Sequence, residues 1–161
     1  GRYVARVDNN ALFIAGLLHD IGQTVMSVVF PDTYPLIAQK FEGDYATLVK
    51  AEKFTFRFDH AQLGAQCLAL WNLPETTVKI VESHHADPNS ASTKDPVERA
   101  GIVLMCSEKL VLNYDNGLRD QALIENTTAQ QSFAYLGLTA SNLDVVVELM
   151  AEEFQSLNAF N

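Results

Sequence analysis

The chain has 161 residues, enough for one compact domain that buries about 70% of the surface exposed by its unfolded form. Its 20 acidic residues outnumber its 11 basic residues, the formal net charge is -9, and the basic residues are scattered singly. Nucleic-acid binding, which needs a basic patch, is therefore not expected.

Two further features bear on location. The two cysteines, Cys67 and Cys106, lack the spacing of a disulfide framework or a zinc ribbon, which is typical of reduced thiols in a cytoplasmic protein. No uninterrupted apolar stretch is long enough to span a bilayer, and no charged leader precedes a cleavable apolar segment. We therefore expect a cytoplasmic location without membrane contact. The chain starts at Gly1 without Met, which raises the expectation that it is part of a longer protein.

The first predicted helix covers residues 10–30 and is stopped by Pro31. Apolar residues fall on every side of this helix, so we expect it to be buried all round. His19 and Asp20 would then be buried as well. A carboxylate out of water normally shifts its pKa, pairs with a cation or binds a metal, so Asp20 indicates a functional site or the remains of one.

Shorter helices are predicted at residues 32–43 and 44–53. Asp59 is a good N-cap for the following helix, which Leu73 and Pro74 bring to an end. The apolar face predicted for that helix consists of Leu63, Cys67, Leu70 and Trp71. Pro74 opens the next segment, which reaches His85 and carries on one face Val78, Val81 and His85.

The stretch 87–95 reads as a loop, and a long apolar helix is predicted at 96–114, ended by Asn116 and Gly117. Two more helices are predicted at 127–136 and 141–157, separated by Gly137. There is no sustained strand alternation and no internal repeat. We therefore predict an all-α fold with one core, formed by residues 1–161 as a single domain.

The chain has 4 histidines, and each lies beside a feature that matters to metal chemistry; they are His19, His60, His84 and His85. His60 would stand in the first turn of its helix, where the helix dipole favours the neutral imidazole that a metal requires. Imidazoles with one carboxylate, Asp20, suit iron, manganese, nickel or zinc. The adjacent pair at 84–85 indicates either a dinuclear site or one ligand with a neighbour that supports it.

Each histidine also has a structural interpretation. A lone histidine on an apolar helix face is commonly a hydrogen-bonded core residue, His60 could be a capping partner of Asp59, and His84 with His85 could form a solvated helix end. Together with Asp20 the four histidines make a stronger case for a metal site, intact or vestigial, because one cluster would satisfy several costly polar groups at once.

Four blocks resemble, in order and spacing, those of the HDOD domain family, a branch of the HD phosphohydrolase superfamily: GLLHDIG at 16–22, FDHAQLGA at 58–65, LWNLP at 70–74, and the pair His84 and His85. The resemblance covers residues 12–88. It implies a compact multi-helix domain of bacterial signal transduction that acts with receiver, diguanylate cyclase or phosphodiesterase modules as partners. A complete family member has further helices upstream, which this chain would lack.

In catalytic HD relatives, residues of this kind hold one or two divalent metals that activate water for attack on phosphate esters. The resemblance thus implies a candidate or vestigial metal set of His19, Asp20, His60, His84 and His85. Four further positions either neighbour the metal ligands or stand where catalytic relatives have a different residue: Asp59, Gln23, Ser107 and Glu108. Catalytic relatives have an aspartate where Ser107 stands, a histidine upstream of the HD pair, and, in one branch, a lysine where Gln23 stands.

Two hypotheses follow. The first is a non-catalytic regulatory domain of signal transduction, with a degenerate metal site that holds a transition metal weakly or not at all. The second is a metal-dependent phosphohydrolase acting on a nucleotide or a cyclic dinucleotide, in which Glu108 could replace the missing carboxylate. The missing ligands and the lack of a basic cluster favour the first, and no catalytic residue is assigned.

Overall fold

The computed structural model describes residues 7–87, 95–115 and 133–139, together with positions 142, 145, 146, 148, 149 and 152. Seven helices have defined bounds: α1 (Asn9–Leu18), α2 (Ile21–Val29), α3 (Tyr34–Lys40), α4 (Tyr45–Phe56), α5 (His60–Leu70), α6 (Glu75–Ser83) and α7 (Pro96–Asp115). The described residues include no strand, so the predicted all-α fold is confirmed.

The chain divides into two compact units, Gly1–Met105 and Cys106–Asn161. In the first unit, α5 packs against α2 and α6, and α1 packs against α6. The core between these helices contains Ala11, Ala15, Leu68, Ile80, Val81 and Ala100. These contacts bring the N-terminal ends of α2 and α5 close to the C-terminal end of α6, which is where the candidate site lies. The prediction of a single domain over 1–161 stays a prediction.

The predicted helix at 10–30 is in fact two helices, α1 and α2, which meet at His19 and Asp20. The ring Nδ1 of His19 lies 2.8 Å from the carbonyl oxygen of Gly16. In a continuous helix that oxygen would accept the backbone amide of Asp20, so the side chain competes with the helix at this point. Apolar periodicity carries no signal for such a break.

The expectation that this segment is buried all round is wrong. Each half buries one narrow face: Ala11 and Ala15 in α1, Gly22 and Met26 in α2. Phe13 and Leu17, one turn apart on α1, are each 68% exposed. The side chains of His19 and Asp20 are 23% and 34% exposed, so the pair is half-buried rather than enclosed.

By length and composition alone, the 21 residues Asn9–Val29 could cross a membrane, with a mean hydropathy of 1.5. This differs from the expectation that no such stretch exists, because an average over the segment tolerates the charged Asp20 that interrupts the apolar run. The core helices of many soluble proteins pass the same test. The finding is weak support for a membrane location, and the cytoplasmic location stays a prediction.

Helix α5 begins as predicted. The Asp59 carboxylate accepts the backbone amide of Gln62, and the Gln62 side chain accepts the amide of Asp59, forming a capping box. The predicted apolar face is wrong, however, because Leu70 and Trp71 are exposed. The buried face consists of His60, Ala61, Gly64, Ala65 and Leu68, of which the three in the middle are small. Small side chains let α2 approach closely, which hydropathy alone does not reveal.

The remaining helices lie close to their expected positions. Asp44 caps α4, and α4 extends to Phe56, three residues beyond the predicted end. Helix α6 buries Thr77, Ile80 and Val81 and ends before His85, and α7 ends one residue after the expected 114. Most of the predicted loop at 87–95, the break at 116–117 and much of the two last helices lie outside the described residues.

In the second unit, residues 133–136 are helical, with Phe133 and Leu136 buried. Gly137 then adopts a positive φ of 71°. That conformation is accessible to glycine at little cost, and it separates the two last helices as predicted. The described positions from 142 to 152 are helical.

Candidate metal centre

Three helix ends in the first unit supply the polar cluster. Asp20 immediately precedes α2, His60 is the first residue of α5, and His84 and His85 follow the last residue of α6. Each residue contributes one ligand atom, and these four atoms lie within 4.8 Å of one another. These four side chains thus form a possible His/Asp cluster for a metal.

Asp20 Oδ1 is the atom on which the histidines converge. It lies 3.4 Å from Nε2 of His60 and 3.9 Å from Nε2 of His84. The Nε2 atoms of His60 and His85 are 2.9 Å apart, which is a hydrogen-bond distance. The rings of His84 and His85 are also in contact, with centroids 4.0 Å apart.

The orientation of His84 leaves a lone pair directed into the cluster. Its Nδ1 lies 2.6 Å from the carbonyl oxygen of Val81, and a carbonyl only accepts, so Nδ1 carries the proton and donates. In the neutral ring Nε2 is then an acceptor. Both His84 Nε2 and Asp20 Oδ1 are buried, and neither has a hydrogen-bond partner within the part of the chain that the structure describes. Two buried acceptors thus face each other without a donor between them.

Electrostatics keep these imidazoles neutral. Burial lowers the pKa of His84 to about 4, and the neighbouring His60 and His19 add to this effect, while the hydrogen bond to Val81 opposes it. Burial and the adjacent His84 lower the pKa of His85 to about 2. Both rings are therefore unprotonated near neutral pH, which is the form that coordinates a cation.

Asp20 remains ionised despite its surroundings. Burial alone would raise the pKa of its carboxyl group, but hydrogen bonds from His19 and Gln23 and the electrostatic effect of the nearby His19 and His60 side chains outweigh burial and hold the pKa well below its usual range. The outer oxygen, Oδ2, lies 3.3 Å from Nε2 of His19. Gln23 thus stands beside Asp20, and the ring of His19 packs edge-on against the ring of His84, with centroids 5.2 Å apart.

Two residues of the site, Glu52 and Tyr34, were not predicted from the sequence. Glu52 on α4 is fully buried, and its Oε2 lies 2.8 Å from Nδ1 of His60. The hydroxyl of Tyr34, itself almost fully buried, donates to Glu52 Oε1 at 2.9 Å. The one available signal was the spacing of Glu52 from Leu48, which places both residues on the buried face of α4.

Three other positions were predicted near the site, namely Asp59, Ser107 and Glu108. Asp59 is next to His60 in sequence, but its carboxylate caps α5 and pairs with Lys53 at 2.8 Å. Ser107 and Glu108 lie on α7 and belong to the second unit. A role for either of them at the metal centre stays a prediction.

The donor set fits a transition metal. Three imidazole nitrogens and one carboxylate oxygen suit zinc, iron, nickel or manganese, and suit calcium poorly. A divalent ion would also remove the conflict between the two acceptor atoms of Asp20 and His84. It would replace the hydrogen bond between Nε2 of His60 and Nε2 of His85, so that both of these nitrogens could bind it. The identity of such an ion is a proposal.

The helical fold and the His/Asp cluster together define an all-α domain with a possible metal centre. The sequence model of the HDOD domain matches residues 2–87, just over half of the chain, and the chain therefore belongs to the HDOD domain family.

The chain is also similar to an uncharacterized protein of Treponema pallidum (strain Nichols), with 32% identity over 94 residues. The matched region is 53% of this chain and 17% of that protein, so it is a small part of a much longer relative. No solved structure shows significant similarity to the chain.

Proposed function

We propose that this HDOD domain is a regulatory domain of signal transduction that holds one divalent transition-metal ion and does not hydrolyse phosphate esters. The observation that carries the proposal is the pair of buried acceptors, Asp20 Oδ1 and His84 Nε2, 3.9 Å apart and without a hydrogen-bond donor among the described residues. Leaving two such groups unsatisfied costs free energy that a bound cation would recover.

The number of ligands favours a structural ion over a catalytic one. Asp20, His60, His84 and His85 offer four donor atoms, which for zinc is the full set of a closed tetrahedral site. A catalytic ion keeps one position open for water or substrate. An ion bound here would link the ends of α2, α5 and α6, and its presence or absence could then change how these helices pack.

Two features of the sequence also favour a domain that does not hydrolyse phosphate esters. By the family pattern, Ser107 stands where catalytic HD relatives have an aspartate. The net charge of -9 and the scattered basic residues offer no cluster to bind phosphate. The alternative, a metal-dependent phosphohydrolase acting on nucleotides or cyclic dinucleotides, would need both the open position and a group that binds phosphate.

The partners proposed for the domain are receiver, diguanylate cyclase or phosphodiesterase modules, and the proposed location is the cytoplasm. In the Treponema pallidum relative, the similar region makes up 17% of the chain, so most of that protein lies outside it. The exposed Phe13 and Leu17 on α1 would suit a contact with another protein module.

A paired binding and turnover experiment tests the proposal. The chelator-treated protein is titrated calorimetrically with zinc, manganese, nickel, iron(II) and magnesium, and each loaded form is incubated with nitrophenyl phosphates, nucleotides and cyclic dinucleotides. We expect binding of a transition metal, loss of binding in Asp20→Ala and His60→Ala, and no turnover at an enzymatic rate.

Asp59→Asn is the matched control, since it alters a buried carboxylate next to His60 that faces Lys53 instead of the cluster. Turnover near or above about 1 s⁻¹ that disappears in Asp20→Ala and His60→Ala but persists in Asp59→Asn would favour the phosphohydrolase. Failure of every metal to bind would contradict the proposed ion.

A further inference from the structure

Glu52 is a fully buried carboxylate whose position needs a reason, because burying a charge is costly unless it is paired and hydrogen-bonded. Its Oε2 accepts the backbone amide of His60 at 2.9 Å, and both of its oxygens lie within 2.9 Å of Nδ1 of the same histidine. Its Oε1 also accepts the hydroxyl of Tyr34. Two of these three donors belong to His60.

We propose that Glu52 is a positioning residue that holds His60 in the tautomer and orientation needed to present Nε2 to the metal. The inference rests on the proposed metal-holding function. An ionised carboxylate only accepts hydrogen bonds, so Nδ1 of His60 must carry a proton and donate it to Glu52. The lone pair of the neutral ring is then on Nε2, the atom 3.4 Å from Asp20 Oδ1.

The local fold brings Glu52 to His60. Helix α4 ends at Phe56, and Arg57 adopts a left-handed conformation with a φ of 71°. The chain reverses there, so that the first residue of α5 returns over the last turns of α4. Glu52 therefore contacts both the backbone amide and the ring of His60. The Glu52 carboxylate cannot rotate without breaking its hydrogen bond to that backbone amide.

Tyr34 completes the arrangement from α3. Burial and the neighbouring Glu52 carboxylate raise the pKa of the Tyr34 hydroxyl above its usual value, so it stays protonated and remains a donor. The hydroxyl fixes Glu52 Oε1, and Glu52 in turn fixes His60. Metal-binding histidines commonly donate their second nitrogen to a carboxylate in this way, and removing that carboxylate usually costs 10- to 100-fold in metal affinity, to order of magnitude.

The decisive comparison is Glu52→Gln against Asp59→Asn. Both change a buried carboxylate to an amide near the start of α5, but asparagine is still a good N-cap. In Glu52→Gln, one of the two oxygen positions becomes an amino group, which cannot accept the Nδ1 proton of His60 or the Tyr34 hydroxyl. Only one oxygen then remains for the Nδ1 proton of His60, its backbone amide and the Tyr34 hydroxyl. The Nδ1-protonated form of His60 is therefore held less firmly, and Nε2 presents its lone pair to the metal less often.

We expect Glu52→Gln to weaken zinc or cobalt(II) binding by roughly 10- to 100-fold, and Asp59→Asn to leave it unchanged. Equal affinity in folded Glu52→Gln and wild type would overturn the proposal. Nitrogen NMR of the metal-free wild type gives a second readout that needs no variant and no ion. It should show His60 protonated at Nδ1, and an unprotonated Nδ1 would overturn the proposal even if Glu52→Gln fails to fold.

The NMR readout also separates the two hypotheses. If wild type binds none of the metals while His60 carries the Nδ1 proton, the metal-holding function fails, and the hydrogen bond from His60 to Glu52 has a purely structural role. If wild type binds metal and His60 lacks that proton, the metal site stands and Glu52 does not position its ligand.

Discussion

The backbone of α2 at Gly22 touches the backbone of α5 at His60. A Cβ atom added to Gly22 would overlap the carbonyl oxygen of His60 and lie 2.9 Å from the amide nitrogen of Gly64. Glycine is required here because two backbones meet without room for a side chain. This contact sets the distance between α2 and α5, and so places Asp20, two residues before Gly22, beside His60.

Gly22→Ala is therefore expected to destabilise the protein by on the order of 3 kcal/mol, since backbone atoms cannot yield as a flexible side chain can. Gly16→Ala is the control, because its added Cβ would make only ordinary contact, 3.6 Å from Leu104. In the interior of α1 this change should be neutral or stabilise by up to about 1 kcal/mol. Chemical denaturation measures both, and equal effects for the two variants would contradict the close packing of α2 on α5.

Stability should depend on pH through His84. Its pKa is about 4 in the folded protein against an ordinary value of 6.5. As the pH falls below about 6.5, the unfolded chain takes up a proton that the folded protein does not accept until about pH 4. The free energy of unfolding should therefore decrease on acidification across this window, by up to about 1.4 kcal/mol per pH unit from this one group. The lowered pKa of His85 acts in the same direction.

Denaturation of the metal-free protein at several pH values between 7 and 5 measures this slope. In His84→Asn, whose side-chain amide can still donate to the carbonyl oxygen of Val81, the slope should be shallower. An identical slope in the variant would show that His84 is not held neutral by burial.

Asp59 is expected to matter for stability and not for metal binding. Asp59→Ala removes the N-cap of α5 and the contact with Lys53, which together should cost about 1 kcal/mol, most of it from the cap. Metal affinity should not change, because the Asp59 carboxylate binds the amide of Gln62 and not the histidines. Denaturation and zinc titration of the same preparation test both statements, and a large loss of affinity would restore the sequence-based interpretation that Asp59 supports the site.

Several residues of the site could be predicted because polar, metal-binding residue types stand at unusual positions in the sequence. Asp20 in an apolar run and His60 behind an N-cap are unusual enough that the residue pattern by itself indicates a cluster. Glu52 could not be predicted in this way, because in the sequence it is an ordinary charged residue of a helix that has several charged and polar side chains. Only the reversal of the chain at Arg57 places it beside His60, and a left-handed conformation at a residue other than glycine has no clear signal in the sequence.

The wrong predictions about the helices have a common cause. Hydropathy identified apolar helices correctly but not the face that each one buries. In α5 the packed face is formed by small residues such as Gly64 and Ala65, while the larger Leu70 and Trp71 remain exposed. In α1 and α2, the break at His19 depends on a hydrogen bond to Gly16 that periodicity cannot show.

The metal content of the purified protein tests the central claim most directly. Elemental analysis after extensive dialysis against buffer containing zinc should give about one ion per chain for wild type. The double variant Asp20→Ala with His84→Ala, which removes both unsatisfied acceptors, should retain almost none, while Asp59→Asn should match wild type. Wild-type protein free of zinc, or equal zinc in the double variant, would contradict a metal ion held by Asp20, His60, His84 and His85.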